Sequence, residues 1–479
     1  MNYRMVLYIL GWVFIMEAVF MVPSCIVALI CGEDAICAFL ITMGISLAAG
    51  GLLVRKKPQN RIFYMREGFV TAAFSWILMS VVGGLPFLFS GVMDNPVDAL
   101  FETVSGFTTT GASILTDVEI LPQSVLFWRS FTHWIGGMGV LVFLLSVLPG
   151  VTGSHMNLMR AESPGPSVSR LVPKVQMTAK LLYGIYIGMT AVQVILLLLG
   201  RMPLLEALEV SFGTAGTGGF GIKNDSIASY SVYIQVVVTV FMILFGVNFN
   251  LYFLLFIKRS KQAWKIEEVW WYFGIVAAAI LVIAWDIRGM FPNIGQAIQQ
   301  SAFQVGSIIT TTGFATTDFN VWPETSRTIL VLLMFVGACA GSTGGGIKVS
   351  RLVILLKTIR KELHQFLHPK SVKKIKMDGK VVDHETVRST NVFMITYLMI
   401  FSFSVLFLAF DGFDMITNFT AVAATFNNIG PGLEMVGPVS NFSMFSNWSK
   451  LVLIFDMLAG RLEIFPLLLL FVPETWKKF

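Results

Sequence analysis

Long apolar stretches separated by short polar connections make up most of the chain. A helix needs roughly 20 apolar residues to cross the hydrocarbon core of a bilayer. Stretches of about that length or longer lie near residues 4–30, 36–54, 67–91, 124–150, 178–200, 230–257, 267–286, 326–357, 390–410 and 449–472. The pattern therefore predicts an all-α integral membrane protein of about ten spans in a lipid bilayer.

Four apolar segments of roughly 10 to 15 residues, too short to cross a bilayer, lie between pairs of these spans. Each ends in a run of Gly, Thr or Asn, which is typical of a re-entrant loop. They align without a gap on one glycine each, as residues 99–111, 207–219, 301–313 and 418–430. A small polar residue precedes each glycine by two positions and a small residue precedes it by six, which are respectively Thr109, Thr217, Thr311 and Asn428, and Ser105, Gly213, Ser307 and Ala424.

This repetition predicts four pseudo-symmetric helix, pore-loop, helix repeats around a central ion pore, preceded by a two-helix hairpin. The predicted boundaries are 1–57 for the hairpin and 58–155, 175–259, 266–360 and 386–479 for the repeats, with a broken second helix in the third. Gly and Thr are also common where membrane helices pack closely. Such packing explains one run easily, but four runs in equivalent places favour pore loops.

Glycine-centred loops around one axis suit a monovalent cation. A ring of backbone carbonyls ligates a dehydrated ion without a fixed negative charge, and glycine adopts the required positive φ at little cost. The glycine positions carry no ring of Asp or Glu, which argues against a divalent-selective filter. Threonine hydroxyls either add ligands or tie the loops to their surroundings, and the sequence leaves both open. The predicted filter residues are Thr109, Thr110, Gly111, Thr217, Gly218, Gly219, Thr311, Thr312, Gly313, Asn428, Ile429 and Gly430.

A glycine-rich segment, residues 337–348, interrupts the second spanning helix of the third repeat. Non-helical backbone at membrane depth is tolerated only beside a cavity or within protein. We predict a mobile gate loop formed by Gly337, Gly341, Gly344, Gly345, Gly346 and Lys348. A static kink is the alternative, and Lys348 is also able to extend to the inner surface.

Arg461 lies near the centre of the last predicted span. A lone intramembrane arginine costs at least ~2.5 kcal/mol, so it normally faces the protein interior or water. On the ion path its charge would oppose entering cations, and we predict a barrier there. The alternative is a buried ion pair with Asp456 or Glu463.

Composition and charge agree with this assignment. The 479 residues are 55% hydrophobic and 13% charged, against roughly 45–50% apolar and 25% charged in soluble domains. The net charge of +6 resides in short basic segments such as 55–66, 258–265 and 357–388. Such segments predict cytoplasmic connections, with both termini inside, rather than a nucleic-acid surface.

No enzyme is predicted. The sequence has no Walker loop, no dinucleotide fingerprint and no evident nucleophile triad, and its histidines, His133 included, read as structural or solvated. We therefore expect no cofactor. The four cysteines lack metal-ligand spacing, while a disulfide between Cys31 and Cys37 is possible but not required.

Together these motifs resemble the TrkH family of bacterial Trk-type potassium uptake proteins, within the Trk/Ktr/HKT superfamily of cation transporters. The resemblance covers nearly the whole chain, and the added hairpin favours TrkH over the shorter Ktr type. The segments that carry it are 108–113, 213–220, 310–316, 337–348, 427–432 and 460–463, which resemble the four filter loops, the intramembrane loop and the arginine barrier.

The resemblance implies potassium uptake across the bacterial inner membrane, with potassium as the transported ion. It also implies a homodimer with one pore per protomer, controlled by a cytosolic ring of NAD- or ATP-binding regulatory (TrkA-type) subunits. Sodium-transporting plant relatives often place serine at the first filter glycine, so Gly111 favours potassium. The fourth loop, with Asn428 and Ile429, departs most from the family pattern.

A cation symporter working by alternating access is the alternative function. Paired inverted broken helices would be expected of it, whereas these repeats run in one orientation and one helix is predicted to be broken. A membrane receptor or scaffold would conduct no ions at all.

Overall fold

The computed structural model describes residues 1–58, 64–139, 175–257 and 260–477. Most residues in these ranges are helical. They also contain one antiparallel ribbon, formed by β1 (Lys376–Met377) and β2 (Lys380–Val381). Parts of the sequence-based predictions lie outside the described residues: positions 140–155 of the first repeat, Arg61, and the basic pair Lys258 and Arg259.

The first half of the chain contains the hairpin and two units. The hairpin is α1 (Tyr3–Cys31) and α2 (Ile36–Val54). The first unit has α3 (Met65–Gly83), α4 (Leu85–Phe89), α5 (Pro96–Phe107) and α6 (Gln123–Met138). The second has α7 (Val175–Leu199), α8 (Leu204–Gly216), α9 (Val232–Phe245), α10 (Phe249–Phe256) and α11 (Ser260–Ala263).

The second half repeats this order. The third unit has α12 (Glu267–Asp286), α13 (Ile294–Ile309), α14 (Glu324–Val336) and α15 (Val349–Leu367). The fourth has α16 (His384–Leu408), α17 (Met415–Phe426), α18 (Asn447–Arg461) and α19 (Phe465–Leu468). Short 3-10 turns cover Ile287–Gly289, Phe319–Val321, Ala409–Asp411, Glu434–Val436, Leu469–Phe471 and Pro473–Trp476.

The chain is a multi-pass membrane protein. Among the described residues, six helices are long and apolar enough to cross a bilayer, or seven if the pair α9 and α10 counts as one span. That pair is bent by 89°, so the prediction of one continuous helix over 230–257 is wrong. The stretch 449–472 is also interrupted, because α18 ends at Arg461. The expectation of a single broken helix is therefore wrong. The bend between α9 and α10 is explained by Gly246, which ends α9, and by Asn248, whose side chain caps α10.

Four short helices, α5, α8, α13 and α17, precede the aligned glycines. Three of these helices begin with a side-chain cap: Asn95, Asn293 and Asp414 accept backbone amides in the first turns of α5, α13 and α17. Such caps satisfy amides that have no partner within a helix. The carbonyl ends of the four short helices lead into the turns, so the negative ends of their dipoles are directed there.

Two of the second helices, α6 and α18, reach the short helices through a glycine. A Cβ built on Gly136 of α6 would lie 1.8 Å from the Phe107 carbonyl oxygen, and one on Gly460 of α18 would lie 2.1 Å from that of Phe426. Backbones approach this closely only where no side chain intervenes. These contacts position the ends of α6 and α18 beside the turns.

The N-terminal hairpin is joined by a similar contact. A Cβ on Gly50 of α2 would lie 2.7 Å from the Gly11 carbonyl oxygen in α1, while one on Gly51 would meet nothing within 4 Å. All four cysteines, including Cys31 and Cys37, are free thiols. The hairpin is therefore held by packing.

We expect Gly50→Val to destabilise the purified protein by about 1–3 kcal/mol, because the side chain would force the hairpin apart. Gly51→Val makes the same change one position away in open space and should leave stability nearly unchanged. The midpoint of a denaturant titration in detergent measures both. Equal stability of the two variants would contradict the close approach.

Candidate functional site

One hydrogen-bond pattern closes all four turns. At the end of α5 the Thr110 amide donates to the Ser105 carbonyl at 2.8 Å. The same bond, also 2.8 Å, joins Gly218 to Gly213, Thr312 to Ser307, and Ile429 to Ala424. This is the Schellman arrangement, in which a helix ends on a left-handed residue. The small residue six positions before each glycine therefore supplies the carbonyl that ends the helix.

Two residues of each turn have positive φ. The aligned glycines Gly111, Gly219, Gly313 and Gly430 have φ of 80°, 79°, 87° and 101°. Two positions earlier, φ is 56° at Thr109, 55° at Thr217, 58° at Thr311 and 56° at Asn428. Asparagine tolerates this conformation, whereas it costs threonine about 1–2 kcal/mol. Strain of this kind persists only where surrounding structure enforces it, and it concentrates at functional sites.

The four turns close into a ring. A Cβ on Gly111 would lie 2.0 Å from the carbonyl oxygen of Gly218, which belongs to the next turn. Gly219 has the same relation to Thr312 at 1.9 Å, Gly313 to Ile429 at 2.0 Å, and Gly430 to Thr110 at 2.9 Å. Each turn therefore contacts the next turn in chain order, and the fourth contacts the first. The four carbonyls therefore belong to one closed ring of contacts.

The segments that leave the turns are joined in the same cyclic order. Hydrogen bonds of 2.8–3.0 Å link Val118 to Asn224, Ile227 to Ala315, Glu434 to Asn320, and Phe442 to Ser113. The chain thus forms a second closed layer on the side where the glycines leave the ring.

Most side-chain oxygens of the turns form hydrogen bonds within the protein. The hydroxyls of Thr110 and Thr312 bond to neighbouring threonines, and Thr311 accepts the Gly345 amide at 2.6 Å. This favours the tying role among the two that the sequence left open. The buried Oγ1 of Thr109 and Oδ1 of Asn428 have no hydrogen-bond partner among the described residues.

His133 supports the ring of turns by bonding to residues on either side of it in two units. Its Nδ1 lies 2.7 Å from the Gly106 carbonyl and its Nε2 accepts the Phe220 amide at 3.2 Å. Because Nε2 accepts a hydrogen bond, Nδ1 carries the hydrogen and donates. The imidazole of His133 is therefore neutral. The histidine is structural, and it joins the end of α5 to the segment after the second turn.

A buried ion pair holds the outer layer. Arg129 in α6 donates to Glu102 in α5 at 2.6 Å and to the Gly221 carbonyl at 2.8 Å. Glu102 also accepts the Ile114 amide at 3.0 Å. Both side chains are almost fully buried, at 3% and 0% exposed. This pair was not predicted from the sequence, although charged residues within apolar segments are a signal of such a pair.

The glycine-rich loop, residues 337–348, separates α14 from α15 and contacts the ring. A Cβ on Gly344 would lie 2.8 Å from the Thr310 carbonyl oxygen, and one on Gly345 would lie 2.5 Å from that of Asn427. The loop therefore touches the residues that enter the third and fourth turns, on the opposite side from the outer layer.

Arg461 joins three units on that same side. Its guanidinium donates to the carbonyls of Gly136 and Gly137 at the end of α6, the second at 2.8 Å. It also donates to the Thr343 carbonyl in the glycine-rich loop at 2.9 Å. The acids considered as its partners are bonded elsewhere: Glu463 pairs with Arg351, and Asp456 accepts the Ser404 hydroxyl at 2.8 Å.

Lys348 does not extend to the surface. Its side chain is 3% exposed and its ammonium donates to the Gly344 carbonyl within the same loop. The predicted gate residues thus lie together with Arg461, and the predicted filter residues lie together in the ring.

We expect Arg129→Met to destabilise the protein by about 3–5 kcal/mol, because Glu102 would remain buried without its cation. Adding Glu102→Gln should recover part of the loss, since the amide oxygen still accepts the Ile114 amide. The exposed pair of Arg388 and Glu385, 3.8 Å apart, offers a control, as Arg388→Met should change little. Denaturant titration would disprove the supporting role if both arginine variants behaved alike.

Comparisons with known proteins place the chain in a family. The family model of TrkH, a cation transport protein, matches residues 35–287 and 265–478. The chain is 35% identical to the Trk system potassium uptake proteins TrkH of Salmonella typhimurium and Escherichia coli, over the full length of both partners. Its fold matches the crystal structure of the potassium transporter TrkH from Vibrio parahaemolyticus with a TM-score of 0.90, at 32% identity and full coverage of both chains. The chain therefore belongs to the TrkH family of cation transport proteins.

Proposed function

We propose that this protein takes up potassium ions across the bacterial inner membrane through the ring of four turns. The relatives described above are potassium uptake proteins by name. Their identity over the full chain supports the same ion here. The protein would then act as a transporter without a cofactor, with potassium as its cargo.

The observation that carries the proposal is the cyclic contact between glycines and carbonyls. The carbonyls of Thr110, Gly218, Thr312 and Ile429 occupy equivalent places around the ring. Four peptide oxygens at one level replace part of the hydration shell of a bare cation, while the dipoles of the short helices add negative potential. The residues at positions 109–111, 217–219, 311–313 and 428–430 would form the filter.

The gate would consist of the glycine-rich loop and Arg461. The loop contacts the residues that enter the ring, and the arginine is tied to that loop and to α6. An ion leaving the filter on this side would meet the loop backbone and a fixed positive charge. Movement of the loop would clear the path and also release one of the bonds that hold Arg461.

The proposal extends to orientation and assembly. Basic residues of the segment around the ribbon, including Lys373, Lys374 and Lys380, are exposed, which suits a cytoplasmic face with both termini inside. The relatives' names place them in a Trk system. We extend this to a homodimer regulated by a cytosolic ring of NAD- or ATP-binding TrkA-type subunits docking on that face.

Rubidium uptake into liposomes tests the function directly. An imposed potassium gradient should drive flux when the sodium and proton gradients are zero. A flux that required a sodium or proton gradient would show that the protein is a cation symporter. The absence of flux under any gradient would favour a receptor or scaffold. The closed ring of contacts between the four turns favours uniport.

We expect Gly313→Ala to reduce rubidium uptake by about tenfold or more and to weaken discrimination against sodium. The new methyl group would overlap the Ile429 carbonyl, and φ at this position is 87°. Gly412→Ala is the matched control, because Gly412 has a φ of 80° but open space around it. Uptake of rubidium with and without competing sodium measures the effect. Unchanged ion preference in Gly313→Ala would remove the ring from the ion path.

We expect Arg461→Gln to raise rubidium flux by about tenfold, because a unit charge 4 Å from a cation costs about 1–4 kcal/mol. Arg461→Lys keeps the charge and should leave flux closer to that of the native protein. Liposome flux without any cytosolic partner gives the comparison. If Gln and Lys had the same effect, the charge would not be the barrier.

A further inference from the structure

Glu268 is a buried acid with no role in the ring, the loop sequence or the Arg461 contacts described above. It lies in the first turn of α12 and is 3% exposed. Its Oε1 accepts the amides of Ala340 at 2.6 Å and Ser350 at 3.0 Å. Its Oε2 accepts from the Asn248 side chain at 3.4 Å. One carboxylate thus contacts both ends of the glycine-rich loop.

All three contacts use Glu268 as an acceptor. An ionised carboxylate only accepts hydrogen bonds, and bonds to a charged acceptor are about twice as strong as neutral ones. This chemistry fits the site without any further group. It also satisfies two buried backbone amides that the loop itself leaves open.

The Ser350 contact replaces a missing helix cap. The residue before α15 is Lys348, which makes no side-chain cap and has only donors to offer. Amides at a helix start need an acceptor, and a negative charge there is favourable. Glu268 supplies both from another helix, so it helps to fix the start of α15.

Three backbone hydrogen bonds also hold the two ends of the loop. Cys339 donates to the Gly246 carbonyl at 3.0 Å, Phe249 donates to Gly341 at 3.0 Å, and Val349 donates to Ala338 at 3.1 Å. Asn248 lies at the bend between α9 and α10 and contacts Glu268 as well. The carboxylate therefore joins the bend, the loop entrance and the loop exit at one point.

We infer that Glu268 is a positioning residue that latches the glycine-rich loop in its closed conformation, from a place off the ion path. This rests on the proposed gate function of the loop. Loss of the latch would free both ends of the loop together, so the closed conformation would lose population without any change in the ring or in Arg461.

Cys339 provides a reporter that does not depend on transport. It lies inside the loop and is fully buried, while the other cysteines, Cys25, Cys31 and Cys37, lie in the hairpin region. Replacing those three with serine leaves one thiol whose reaction with a small methanethiosulfonate measures how often the loop opens. Rubidium flux in liposomes without cytosolic partner is measured on the same proteins.

In this background, Glu268→Ala should raise both the labelling rate of Cys339 and the rubidium flux by about tenfold. Glu268→Gln keeps one acceptor oxygen and should fall between the native protein and the alanine variant. Glu267→Ala is the matched control: its carboxylate contacts Lys357 and not the loop, so both readouts should stay at native values.

Unchanged labelling in a folded Glu268→Ala protein would overturn the latch while leaving the proposed transport function intact. Faster labelling with unchanged flux would show that Glu268 holds the loop but that the loop is no gate, which overturns the proposed gate and the inference that rests on it. If the alanine variant does not fold, Glu268→Gln decides: labelling and flux equal to those of the native protein overturn the latch.

Discussion

The structure depends on four places where one backbone touches another with no side chain between them. Each aligned glycine faces the carbonyl of the next turn at a distance that excludes even a methyl group. The ring therefore has its present diameter because these positions lack a Cβ. Its carbonyls occupy fixed positions because every turn is both supported by one neighbour and supports another.

Such a ring contains strain that the rest of the molecule must offset. Three threonines have left-handed backbone, a conformation that the isolated chain would leave. They are held by the Schellman bonds at the helix ends, by His133 behind the second turn, and by the outer layer that Arg129 and Glu102 anchor. The polar contacts outside the ring are thus as necessary to its geometry as the glycines within it.

Local sequence signals predicted the parts of this arrangement that have local causes. Apolar length predicted membrane helices, and alignment on single glycines found the turns, because glycine adopts positive φ at little steric cost. The left-handed threonines were not foreseen, since threonine normally avoids that region. The contact of Glu268 with Ala340 depends on residues far apart in the chain, and no local pattern carries that information.

A ring formed by four segments of a single chain differs from one formed by four identical subunits. The fourth turn has Asn428 and Ile429 where the first and third turns have two threonines. Since each quadrant is encoded separately, substitution can adjust one wall of the ring while the other three stay as they are. In the proposed filter, the affinity for the ion is then adjustable one turn at a time, whereas in an assembly of identical subunits each substitution occurs in all four turns.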